Sequence, residues 1–278
     1  MFANRKLFIA TKHQKETVIV PLLEQNLGVI CFTLDDFETD NLGTFSGEIR
    51  RKHDPLTTLR AKCDQGRAYS NCDLVIANEG SFGKHPSLFF ADADDELLML
   101  KDYKNNLEIV ARELSLDTNL NSAKIENEAQ LLEFASKVKF PSHAIILKNA
   151  KNNTRTIFKG IQNEILLLQK FKQLKSQFGC AYAETDMRAR YNPTRMLVIK
   201  KAVEKLIQKI NKKCPDCHTP GFDIVKANEG LPCALCSLPT RSILSCTYQC
   251  KECDHTQEDY FPKGKKTEEP TYCDHCNP

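Results

Sequence analysis

Up to about residue 212, apolar residues fall into two rhythms. KLFIAT (6–11), LGVICFTL (27–34) and LVIAN (74–78) are short, nearly continuous runs, as expected of strands buried on both faces. ELLMLKD, LEIVARELS, HAIILKN, TRTIFKG and CAYAETD read as further strands. Between them stand segments with helical spacing. KETVIVPLLEQNL is one, with Pro21 best tolerated in its first turn. LTTLRAKCDQGRAY is another, opened by Asp54 as N-cap and Pro55 at the first helical position. ENEAQLLEFASKV, the long amphipathic IQNEILLLQKFKQLKSQF, and TRMLVIKKAVEKLIQKINKK after Asn192-Pro193 complete the set. The alternation predicts an α/β domain over 1–212, a mixed sheet flanked by helices.

Beyond residue 212 the apolar rhythm gives way to cysteine. Of thirteen cysteines, nine follow Lys213, and eight of these form four C-x2-C pairs: Cys214/Cys217, Cys233/Cys236, Cys250/Cys253 and Cys273/Cys276. One such pair can turn both sulfurs toward one cation, and two pairs complete a tetrahedral four-thiolate site. Eight ligands predict two structural zinc ions in a small zinc-ribbon-like domain over 213–278, with Cys246 left over as a structural residue. CALCSLPTRSILSCTYQCKEC has a knuckle, a strand and a second knuckle, which favours joining the second and third pairs and leaving the first with the last. Sequential and crossed pairings remain open.

Composition narrows the class. Charged residues at 27% and apolar residues at 41% suit a soluble globular chain, and no apolar run reaches membrane-spanning length. The opening stretch MFANRKLFIATKHQKE lacks the layout of a secretory signal, which predicts a cytoplasmic protein. The net charge of +3 is unevenly divided: residues 213–278 carry seven Lys/Arg against ten Asp/Glu, a net of −3, and the rest carries +6. Affinity for phosphates is therefore expected in the first domain, and nucleic-acid tracking by the cysteine domain is disfavoured.

Four polar segments follow strands or begin helices: ATKHQKE, TDNLGTFSGEIRR, NEGSFGKHP and ETDMRARYNPTR. Ligands of open α/β sheets collect beyond the carboxyl ends of the strands, where the first, third and fourth of these are expected. Lys12, Lys15, Arg188, Arg190 and Arg195 can hold phosphate or carboxylate oxygens, with His13 beside them. Asp40, Glu48, Glu79 and Asp186 are hard oxygen donors suited to Mg2+ or Mn2+, and His85 can move protons. Each has a structural alternative: lysines can be solvated, Arg188 and Arg190 can brace the acids beside them, and glycine-rich turns can be turns alone.

Two resemblances attach to these residues. The run ATKHQKE, GTFSGE, NEGSFGKHP, ETDMRARYNPTR and YCDHCNP resembles, over nearly the whole chain, a bacterial family described as a domain of unknown function. Over the first third, IATKHQK, GTFSGE with RAKC, and IANEGSFG are similar in order to motifs of inosine triphosphatase-type nucleoside triphosphate pyrophosphatases. That similarity implies phosphate contact by Lys15 and Mg2+ binding by Glu48 and Glu79.

The resulting expectation is a metal-dependent phosphohydrolase for a nucleotide or other phosphorylated small molecule. Lys12, Lys15, Arg188 and Arg195 would grip the anion, Glu48 and Glu79 would hold the cation, and Asp40, Asp186 or His85 would act as base. The rival expectation is a non-catalytic anion-binding module whose zinc domain docks a protein or nucleic acid. A third makes the zinc domain a dimerisation or lid element.

Overall fold

The computed structural model describes residues 1–34, 36–37, 54–151 and 153–278. The chain divides into two compact units, Met1–Ile207 and Gln208–Pro278. The fold class is mixed α/β, with a mixed sheet flanked by helices.

The first unit opens with β1 (Lys6–Ala10), α1 (Glu16–Leu27), β2 (Ile30–Phe32), α2 (Pro55–Ser70) and β3 (Leu74–Lys84). β2, β1 and β3 are parallel neighbours, and β4 (Asp92–Asp102) and β5 (Leu107–Ser115) add to β3 as an antiparallel meander. The order β2-β1-β3-β4-β5 sends the chain from β1 to one side and back past it to β3. The carboxyl ends of β1 and β3 therefore flank a topological switch point, where open α/β sheets bind ligands.

Local chemistry explains these elements. Asp54 caps α2, accepting hydrogen bonds from the Leu56 and Thr57 amides at 3.0 Å each, and Pro55 follows at the first helical position. α2 packs on Phe8, Val75, Ala77 and Met99 through Leu59 and Cys63. Gly66 lets the helix approach the sheet: a Cβ there would stand 3.1 Å from both Phe8 and Val75. Pro21 lies inside α1, beyond its first turn, on an exposed position, so its ring faces solvent. The predicted strand at 27–34 shortens to β2, because Leu27 ends α1 and Gly28 takes the left-handed cap.

A larger correction concerns NEGSFGKHP. Asn78 to Lys84 continue β3 and pair in register with β4, from Asn78 opposite Leu98 to Lys84 opposite Asp92. The turn comes later, where His85 Nδ1 accepts from the Ser87 and Leu88 amides at 3.1 Å each. His85 is thus a turn cap, and the two glycines are strand residues.

A second, antiparallel sheet of order β6-β9-β7-β8 follows: β6 (Ser122–Ile125), β7 (Ile145–Ala150), β8 (Asn153–Ile161) and β9 (Ala181–Thr185). α3 (Glu128–Lys137) and α4 (Glu164–Phe178) cover it, burying Leu131, Phe134, Leu167 and Phe171 against Ile145 and Leu147. α5 (Pro193–Asn211) closes the unit and begins, as expected, at Asn192-Pro193.

The second unit is a three-stranded antiparallel sheet, β10 (Asp223–Glu229), β11 (Ile243–Gln249) and β12 (Thr256–Tyr260), with cysteine knuckles at its ends. Its apolar cluster is small: Phe222 and Tyr248 with Cys214 and Cys250. Cys246 is buried on β11, apart from the knuckles.

Candidate functional site

The knuckles repeat one hydrogen-bonded template. The first-cysteine amide donates to the carbonyl five residues on, in Cys214 to Thr219, Cys233 to Leu238 and Cys250 to His255, at 2.9 Å each. The residue after the second cysteine takes a left-handed φ in His218, Ser237 and Asp254. Each turn so made presents two sulfurs on one side.

Cys214, Cys217, Cys250 and Cys253 bring their sulfurs within 4.8 Å of one another, and so do Cys233, Cys236, Cys273 and Cys276. The Sγ–Sγ separations include 3.7 Å for Cys214–Cys253, 3.5 Å for Cys217–Cys250, 3.8 Å for Cys233–Cys276 and 3.7 Å for Cys236–Cys273. A tetrahedron of bonds of about 2.3 Å, the zinc–sulfur length, has edges of about 3.8 Å. Each tetrad can therefore hold a metal ion, and its geometry and donor set fit zinc.

The pairing is crossed, first with third and second with fourth, which overturns the favoured union of the second and third pairs. Strand direction is the cause. β10 leaves the first knuckle and reaches the second; β11 runs back, with Gln249 opposite Asp223, and delivers the third knuckle beside the first. β12 reverses again, with Thr256 opposite Gln249 and Tyr260 opposite Ser245, taking the chain to the second knuckle's end. Seven residues of extended β11 span about 23 Å, so the knuckles it separates cannot share an ion.

In the first unit, adjacent residues of β3 point to opposite faces. On the α2 face, the Glu79 carboxylate forms an ion pair with Lys62, whose Nζ also donates to the Asn78 carbonyl at 3.1 Å. On the other face, Lys15 Nζ donates to Asn78 Oδ1 at 2.6 Å, and Asn78 Nδ2 donates to Glu96 Oε2 at 2.8 Å. Arg195, in the first turn of α5, completes that face, with Nε donating to Glu96 Oε1 at 2.6 Å and Nη1 to the Met187 carbonyl at 2.6 Å. Lys15, Asn78, Glu79, Glu96 and Arg195 are all buried.

Gly80 is what lets these groups meet. It stands opposite Glu96, and a Cβ there would fall 2.4 Å from Glu96 Oε1 and 2.5 Å from Arg195 Nη2. Burial, reinforced by the charges of Arg195 and Lys62, lowers the Lys15 ammonium to about 7. Against the upward pull of burial, Arg195 and Lys15 hold Glu96 below its ordinary value. The β1–α1 turn holds two consecutive non-glycine residues, His13 and Gln14, at φ 67° and 61°, a strained conformation found preferentially at functional sites.

The sequence-predicted residues thus separate. Lys15 and Arg195 join one buried polar junction, and Glu79 stands across β3 from them. Lys12 and His13 are half-buried in the β1–α1 turn. Asp186 is buried and bound through both oxygens: Arg188 Nη2 donates at 2.6 Å, Arg188 Nε at 3.0 Å and the Gly160 amide at 3.0 Å. Arg188 is therefore a brace for Asp186. The guanidinium groups of Arg188 and Arg190 also lie over the Tyr191 ring, each 4.5 Å from its centroid. Asp40 and Glu48 lie outside the described residues. Lys62, Asn78, Asp94 and Glu96 are not among the sequence-predicted residues; the register with β3 is what places Asp94 and Glu96 on the Asn78 face. Among the described residues, the groups of three or more side chains that could hold a metal ion are the two cysteine tetrads. No helix among the described residues is long and apolar enough to cross a membrane.

No curated protein matches the chain. A family model, DUF6671, described as a domain of unknown function, matches residues 62–278, from Lys62 in α2 through the last cysteine pair. The chain belongs to the DUF6671 family.

Proposed function

We propose that this protein binds a phosphorylated small molecule at the carboxyl ends of β1 and β3, while two zinc ions staple its C-terminal unit. The carrying observation is Lys15, a buried ammonium at the N-cap of α1, 2.6 Å from Asn78 Oδ1 at the switch point. The first amides of a helix lack intrahelical partners and favour negative charge, and a protonated lysine at that end adds a cation. The strained His13-Gln14 turn beside it supports the same role. Zinc is favoured by the four-thiolate donor set and the tetrahedral sulfur spacing of each tetrad.

The proposal stops at binding. Lys62 engages the Glu79 carboxylate on the opposite face from Lys15, and Asp40 and Glu48, the other expected oxygen donors, lie outside the described residues. Titration calorimetry with pyrophosphate and a nucleoside triphosphate tests the assignment. Wild-type protein is expected to bind, and Lys15→Met to weaken binding at least about tenfold, the scale of losing one charge-assisted hydrogen bond. Equal affinity in the folded variant, or no binding by wild type, would overturn it.

A further inference from the structure

Asp94 and Glu96 stand two residues apart on β4 and so share a face. Both are buried, with Asp94 only 1% exposed and Glu96 fully enclosed. Glu96 is engaged by Arg195, by Asn78 and by a side-chain hydrogen bond with Asp94, whose Oδ1 is left buried with no hydrogen-bond partner. Buried polar atoms are rarely left so, and those that are need a reason.

The charged groups around this pair come from several elements. Asp94 faces Glu96 on its own strand, Arg195 from α5 and Lys15 at the start of α1. Lys15 feels the charges of Arg195 from α5 and Glu96 from β4 on its own face and, across β3, those of Lys62 from α2 and Glu79. Two buried carboxyls side by side cannot both ionise cheaply. Glu96, tied to Arg195, keeps its charge; burial and then the Glu96 charge push Asp94 up to about 8. Asp94 is thus held protonated at neutral pH, hydrogen-bonded to Glu96 and within reach of the Lys15 charge.

Resting on the assignment of Lys15 to an anion site, we propose that the site takes up a proton when it fills, requiring Lys15 charged and Asp94 neutral. The proton comes from solvent. A bound polyanion stabilises the ammonium of Lys15 and disfavours the carboxylate of Asp94, so both groups hold their protons more tightly in the complex. A neutral Asp94, its proton shared with Glu96, adds no negative charge to the site. The site therefore suits phosphate-class anions, and it loosens as the medium turns alkaline.

The test is calorimetric titration of the full chain with pyrophosphate in two buffers of different ionisation enthalpy, after subtracting pyrophosphate's own protonation change. At about pH 8 the difference in apparent enthalpy should report an uptake of about one proton per site or more, and affinity should fall at least about tenfold between about pH 7 and about pH 9. In Asp94→Asn, which stays neutral throughout, both the uptake and the alkaline loss should shrink. Binding with the same enthalpy in both buffers would overturn the proton linkage and leave the anion site standing. Absence of pyrophosphate binding would remove the anion site, and the linkage with it. The wild-type buffer comparison decides even where the variant fails to fold.

Discussion

Gly80 and Asp94 show how much single positions carry in this molecule. At Gly80 the absent side chain is the condition for Arg195 to reach Glu96. Gly80→Ala should lower stability by about 1–3 kcal/mol in urea denaturation, as overpacking of a close-fitting site does. Gly83, three residues along the same strand, has nothing within 4 Å of its Cβ position, and Gly83→Ala should be neutral or slightly stabilising. Equal costs at the two positions would contradict the packing around Glu96. Asp94 acts through protons. Its folded value of about 8 lies above the unfolded value of about 4, so the native state binds more protons across that interval. Its contribution to stability is therefore fully present below about pH 4 and declines as pH rises to about 8. Asp94→Asn lacks that slope. Its melting temperature should pull ahead of wild type progressively from about pH 4 to about pH 8, and parallel curves would contradict a raised Asp94.

At the scale of elements, helices were legible and strand ends were not. α2 and α5 announce themselves by Asp54-Pro55 and Asn192-Pro193, local signals that tertiary packing leaves intact. β3 was legible only as far as Asn78, because Gly80 and Gly83 among polar residues read as a turn. The glycine at 80 answers instead to a buried ion pair made by residues sixteen and more positions away, information that no local window contains. The acids of β4 were hidden for the same reason: strand membership there comes from pairing with β3, and context overrides the low strand propensity of Asp. Lys15 and Arg195 could be named in advance because they sit where a strand ends or a helix begins. Their partners Asn78 and Glu96 could not, since they are fixed by register. The cysteine pairs were fully legible as ligands, but their partnership depends on the antiparallel return of β11, a fact of topology.

The whole molecule joins an α/β unit with a buried cationic junction to a unit whose apolar core is little more than Phe222 and Tyr248. Such a small core needs metal to fold. Four thiolates on a dication carry −2, so two zinc tetrads would add −4 to the −3 of residues 213–278, a charge that disfavours phosphate there. How metal staples this unit depends on the crossed pairing. Native mass spectrometry of metal stoichiometry tests that most directly, comparing wild type with Cys214→Ser/Cys250→Ser, two substitutions in one tetrad. Wild type should hold two zinc ions per chain and the double variant one, kept by Cys233, Cys236, Cys273 and Cys276. A double variant that loses both ions would contradict the crossed arrangement, since it would mean that Cys214 and Cys250 serve different sites.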